Sequence, residues 1–244
     1  MCLTIKSLKF IKELNNGVYD NLRVEMLFHS NKLEGSTFSK EALSYLLEKG
    51  IVDGTHDYED IIETNNSFEL FDFVVDTIEE SLTKKLMREY QGILKKNTKM
   101  DKMGLVGCFK KIPNMLSNTD VELAQPLEVE EKLEDLLIYY SQMDRGIERI
   151  AYFHANFELI HPFQDGNGRV GRFIIFRQCI EDNISLIMID EKYDKEYREA
   201  LFCAQSLKDY SKLVKVFEKC QEYSKSKEKI YNQINQVIDQ MDEG

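Results

Sequence analysis

The chain has no tryptophan, and its 244 residues include only three prolines, four histidines and five cysteines. With proline so scarce, long helices can run unbroken, and apolar residues recur at helical intervals over most of the length. The cysteines (2, 108, 179, 203 and 220) are odd in number and contain no C-x-x-C pair. They give no disulfide framework and suit free thiols in a reducing cytoplasm. No apolar run approaches the roughly 18 residues of a membrane span. Met1 to Leu14 is basic and partly apolar but lacks a clean apolar core and cleavage site, so it does not read as a secretory leader. The expectation is a cytoplasmic protein, with a non-classical export route left open. A net charge of −11 argues against a nucleic-acid partner, whose phosphates it would repel. It does not exclude a nucleotide, because a local cluster of arginines and amides decides such a site. There is no repeat, no low-complexity segment, no P-loop G-x-x-x-x-G-K-[ST] and no kinase pattern.

What the chain does have is one dense stretch, His161 to Arg172, reading H-P-F-Q-D-G-N-G-R-V-G-R. Asp165-Gly166-Asn167-Gly168 reads as a tight turn, since Gly and Asn accept positive φ at little cost. Val170, Phe173, Ile174, Phe176 and Ile180 then follow at helical spacing. The string is therefore loop-then-helix, with glycines at the helix N-terminus. Free backbone N–H groups and the helix dipole make that end an anion site. Arg169 and Arg172 share a face and can fork onto phosphate or carboxylate oxygens. Asp165 offers a hard oxygen of the kind Mg²⁺ takes beside substrate phosphates. His161 can accept a proton near pH 7. Taken singly, each feature is commoner in a structural role; together at fixed spacing they describe a cup for a polyphosphate beside a base. A zinc site from His154, His161 and Asp165 has no H-E-x-x-H pattern behind it.

The stretch resembles the signature of Fic domains, H-x-F-x-[DE]-G-N-G-R-x-x-R, with every signature position filled. Residues 154–160, H-A-N-F-E-L-I, resemble the family's lead-in helix, and a looser likeness runs from about 80 to 205. The resemblance implies transfer of AMP from ATP onto a protein hydroxyl, with release of pyrophosphate. His161 is then the general base and Asp165 the Mg²⁺ ligand. Asn167, the amides of Gly166 and Gly168, and Arg169 hold the α- and β-phosphates, and Arg172 meets the γ-phosphate.

A second likeness lies upstream. Ser30-Asn31-Lys32-Leu33-Glu34-Gly35 matches [ST]-x-x-x-E-[GN], the inhibitory motif of many Fic proteins. On a helix Ser30 and Glu34 share one face, and Gly35 reads as the stop. The resemblance implies a class with the brake N-terminal on the same chain, in which Glu34 pairs with Arg172 where the γ-phosphate must sit. In some members the same Glu positions a water for removal of AMP.

The expected fold is mainly α, a Fic-type helical bundle with a small β-hairpin flap by the active site. Helices are expected at 19–33, at 40–49 after a Ser39 cap and before a Gly50 stop, at 60–82, 84–95, 129–142, 145–160 and 193–207, with one or two more over 209–242. Residues 97–126 are polar and turn-rich, with β-capable pieces at 109–115 and 121–123 and a tip at Asn118-Thr119-Asp120. By resemblance this flap receives an extended target segment at 109–126. Gly107-Cys108-Phe109-Lys110 resembles the family's G-x-Y-R lead into it but departs at the aromatic and the basic residue. Tyr197 matches a tyrosine that in the family often lies near the adenine. The expected division is an N-terminal helical region at 1–79, a Fic core at 80–207 and C-terminal helices at 208–244. Self-modification and self-association through the last helices are further expectations. The rival readings are a nucleotide-sensing module without catalysis, and transfer of another phosphate-containing group by the same fold.

Overall fold

A computed structural model describes residues 2–14, 17–115 and 121–242. Among these residues the architecture is all α: α1 (Ile5–Leu14), α2 (Val18–Lys32), α3 (Lys40–Lys49), α4 (Tyr58–Asp76), α5 (Lys84–Lys95), the short α6 (Lys99–Lys102), α7 (Val129–Gln142), α8 (Ile147–Ile160), α9 (Asn167–Glu181), α10 (Asp194–Leu207), α11 (Ser211–Lys219) and α12 (Glu222–Asp242). None is long and apolar enough to cross a membrane.

The bundle is built around α9. Its sequence is apolar on several faces, and a helix of that kind must be covered all round. Val170, Phe173, Ile174, Phe176, Cys179 and Ile180 are buried, and α8, α5, α4 and α2 pack about them. Each such side chain contributes roughly 1.5–3 kcal/mol on burial. Buried apolar residues of α1 to α5 and of α7 to α12 join these in one continuous core, to which α6 contributes none.

Local signals explain most helix ends. Ser39 Oγ accepts the Ala42 N–H at 3.1 Å, and Gly50 closes α3 at φ 65°. Thr83 Oγ1 accepts the Leu86 N–H at 3.1 Å at the start of α5. The helix expected over 60–82 stops at Asp76. The cause is Arg177, fully buried on α9. Its guanidinium donates to the carbonyls of Thr77 at 2.9 Å, of Ile78 at 3.2 Å and of Glu80. Those carbonyls are turned out of a helix to serve a buried charge.

The expected β-hairpin flap is not seen: no strand forms among the described residues. The expected tip at 118–120 lies outside them. Hydrogen bonds run instead from one arm to the signature loop and from the other to the last turn of α8. Lys110 N–H reaches Pro162 O at 2.8 Å and Ala124 N–H reaches Leu159 O at 3.3 Å. Asn114 Nδ2 reaches Phe163 O at 3.1 Å and Ile112 N–H reaches Gln164 Oε1 at 3.3 Å. The backbone groups that a hairpin would pair are thus taken up by the loop beneath.

Candidate active site

The site forms where α8 turns into α9. His161 caps α8 in the left-handed region (φ 50°, ψ 62°), with its N–H still bonded to Phe157 O at 2.8 Å. A non-glycine residue there is uncommon, and such strain gathers at functional positions. Asn167 then fastens the loop. Its Oδ1 accepts the Phe163 N–H at 2.8 Å and its Nδ2 donates to Phe163 O at 2.9 Å. Both ends of that amide are occupied inside the loop. Gly166 precedes α9 at φ 86°, and a Cβ there would meet Leu94 Cδ2 at 3.3 Å. The sequence placed the glycines at a helix start, and they are there.

Arg172 points back to that start. It is 5% exposed and donates from Nε to Ser30 Oγ at 3.0 Å, and from one terminal nitrogen to Ser30 O at 2.9 Å and Glu34 Oε1 at 2.5 Å. Glu34 lies in the turn that ends α2, and Gly35 closes that turn at φ 85°. Its Oε1 sits where a Cβ on Gly168 would collide with it. A carboxylate therefore lies against the first turn of α9, where dipole and amides favour an anion. Burial opposes ionisation of Glu34. The charge and hydrogen bond of Arg172, with help from Arg169, outweigh it and hold the carboxyl below its usual range.

Glu63 and Lys95, which the sequence did not single out, complete the electrostatics. Arg169, 7% exposed, is ion-paired with Glu63 of α4. Glu63 also pairs with Lys95 of α5, and the Lys95 ammonium donates to Asp165 Oδ2 at 2.5 Å. Asp165 Oδ1 accepts the Gly166 N–H at 2.7 Å. Burial raises the Asp165 carboxyl, but Lys95 and then Arg169 bring it below its usual range. Each charged group of the cup thus has a counter-charge from elsewhere: Glu34 for Arg172, Glu63 for Arg169, Lys95 for Asp165. Nothing in the local pattern marks Glu63 or Lys95, because only the packing of α4 and α5 beside α9 brings them in.

The donor set fits Mg²⁺ of the substrate-borne kind. Asp165 keeps 48% of its side chain exposed. Among the described residues no group of three His, Cys, Asp or Glu could hold a metal unaided. One carboxylate joined by phosphate oxygens and water is the usual Mg²⁺ arrangement at nucleotides.

His161 keeps 17% of its side chain exposed, and its Nδ1 lies 3.8 Å from Glu158 Oε2. Burial first, and then the Lys110 cation, push the imidazole down to about 4, so it is neutral near pH 7. Glu158 is buried, and its Oε1 has no hydrogen-bond partner. Burial, opposed by Arg172, raises its carboxyl to about 7. His154, 1% exposed, is pushed down to about 3 by burial and then by Arg172. Its Nε2 pairs with Tyr197 Oη at 2.7 Å. Tyr197 is itself buried, with its ring against His154, so it forms an inner wall of the site. Gly171 allows this packing, since a Cβ there would meet Glu158 Oε1 at 2.8 Å.

Residues 80–179 match the Fic/DOC family. A curated relative, a probable protein adenylyltransferase of Aquifex aeolicus (strain VF5), is 41% identical over 56 residues. That match takes in 22% of this chain and 18% of the relative, so under a fifth of the relative's length is spanned. Two solved structures share the fold. A Fic domain containing signaling protein from Bacteroides thetaiotaomicron superimposes with a TM-score of 0.73 at 24% identity, over 90% of this chain and 94% of that one. A segment of Fic-1 from C. elegans gives a TM-score of 0.72 at 19% identity, over 97% of this chain and 72% of that one. With the loop and helix assembled as described, residues 80–179 are a Fic/DOC family domain.

Proposed function

We propose that the chain is a protein adenylyltransferase, restrained at rest by Glu34. The observation that carries this reading is the Glu34 carboxylate lying on Gly168 and Arg172 at the start of α9. The chain's own anion occupies a site suited to a phosphate. ATP takes the same cup: its triphosphate lies along the first turn of α9, with Arg169 and Arg172 on its outer oxygens. Asp165 would hold Mg²⁺, which when bound would supply charge neutralisation to the phosphates. Asn167 keeps the loop in shape. A target hydroxyl arrives along the 109–126 arm and meets His161. Because Nδ1 faces Glu158, Nε2 is the nitrogen left to take the hydroxyl proton. The hydroxyl oxygen bonds the α-phosphorus as the bond to the bridging oxygen breaks, and pyrophosphate leaves with that electron pair. The protein contributes position and electrostatics rather than a covalent intermediate.

Glu34 and a γ-phosphate compete for one guanidinium, so the resting chain turns over slowly. The test is intact-protein mass spectrometry of Glu34→Gly after incubation with ATP and Mg²⁺. Gain of one adenylyl group, on the chain or on a protein in an added lysate, supports the reading. Gain of a bare phosphate, or no gain at any target, overturns it. In the same background, His161→Ala abolishes transfer while nucleotide still binds.

A further inference from the structure

Lys110 lies between α6 and α7, in the arm that rests on the signature loop. It is 3% exposed. Its ammonium donates to Ile160 O at 3.0 Å, and its own backbone N–H donates to Pro162 O at 2.8 Å. Those are the carbonyls on either side of His161. One residue therefore grips the chain just before and just after the imidazole. The residue between is the one held at φ 50°, a conformation that relaxes unless its surroundings fix it. The Ile160 carbonyl is also one of the last of α8, which has no partner within the helix and where a cation is favoured by the dipole. Phe109, the residue before it, stacks on Phe163 of the loop at 5.8 Å between ring centres. Burial of an ammonium is costly. It brings the Lys110 amine down to about 8, with Lys132 adding to the effect and Glu128 opposing it. A surface loop gains nothing from such a cost unless the bonds made there matter.

We propose that Lys110 is a positioning residue for His161, clamping both flanking carbonyls so that the arm receiving the target and the base acting on it move as one piece. The inference rests on the adenylyltransferase reading for its catalytic meaning, but the clamp can be tested apart from it.

In the Glu34→Gly background, Lys110→Met lowers labelling by about tenfold to a hundredfold, the scale of a small misplacement of a reacting group. Nucleotide affinity stays unchanged, and Lys110→Arg, which can still donate to Ile160 O, restores most of the labelling. A second readout needs no turnover. The groups facing His161 are Lys110 from the arm, Glu158 on α8, Glu34 after α2 and Asp165 in the loop. Removing only the Lys110 cation lets the imidazole protonate at higher pH. In the otherwise native chain, NMR titration of the His161 ring, assigned against His161→Ala, therefore shifts upward for Lys110→Met and stays in place for Lys110→Arg. If Lys110→Met does not fold, Lys110→Gln, which keeps a donor but no charge, carries the same titration. Absence of all labelling in Glu34→Gly would sink the enzymatic reading and leave the NMR arm to decide the clamp. A Lys110→Met or Lys110→Gln variant whose His161 titrates where the parent's does overturns the assignment, whatever its labelling.

Discussion

Replacing Glu34 with alanine should make the empty protein less stable and the nucleotide-bound protein more stable than its parent. The change removes a charge-assisted hydrogen bond of 2.5 Å from a buried guanidinium. Bonds of that kind contribute about 1.5–3 kcal/mol. The Glu34 side chain is 39% exposed, so water recovers part of the interaction, and Arg172 retains both contacts to Ser30. A loss of about 1–2 kcal/mol is expected. For a chain of this size that lowers Tm by about 2–8 °C. The freed guanidinium then accepts a γ-phosphate, and ATP at a hundred times its Kd adds about 2.7 kcal/mol. The two melting curves should therefore exchange order when Mg²⁺ and ATP are added, which differential scanning fluorimetry reads directly. The folded-state value of Glu34 lies below its ordinary one. Its contribution is therefore whole at neutral pH and disappears as pH falls through the lowered value, so the gap between the empty proteins closes in acid. A variant as stable as its parent, or one in which nucleotide raises both Tm values equally, would refute the competition between carboxylate and phosphate.

Other expectations follow from the same network. Glu158 is raised from an ordinary 4.5 to about 7, so its contribution to stability is present below the ordinary value and lost as pH rises through 7; Glu158→Gln should flatten that loss, worth about 3 kcal/mol across the interval, as seen in thermal unfolding at pH 4 and pH 8. Glu63→Gln strips counter-charge from both Lys95 and Arg169, and with its side chain only 15% exposed the cost should reach about 3–5 kcal/mol; denaturant midpoints within experimental error of the parent would discount the network. His161 is neutral down to about 4 in the folded chain; His161→Ala should remove transfer, with ATP affinity by calorimetry unchanged, and loss of binding too would make the imidazole structural.

The sequence was informative where chemistry is local. Ser39, Gly50 and Gly35 end or begin helices as their side chains, or lack of them, dictate. The loop-then-helix at 161–172 could be read because its residues are consecutive, and Ser30 and Glu34 because the string that holds them resembles the family's inhibitory motif. Glu63 and Lys95 were not legible, and neither were the contacts of Lys110, which resemblance placed only at the lead into the flap. They reach the site through the packing of α4, α5 and the arm, and no periodicity encodes which polar residue will face a neighbour. The overlong helix at 60–82 shows the same limit: its apolar spacing continues to Leu82, but Arg177, a hundred positions downstream, takes the carbonyls that would have extended it. The hairpin failed for a related reason, since β-capable residues at 109–115 found their partners in the loop below.

Sequence likeness starts the family domain at residue 80, yet the acids paired with Arg172 and Arg169, Glu34 and Glu63, stand before that point. A fragment cut there would carry two orphaned guanidinium groups at the mouth of the cup. It would lose the carboxylate that lies on Arg172 and part of the packing around the cup in one stroke, so the occupied cup and the fold beneath it are inherited together.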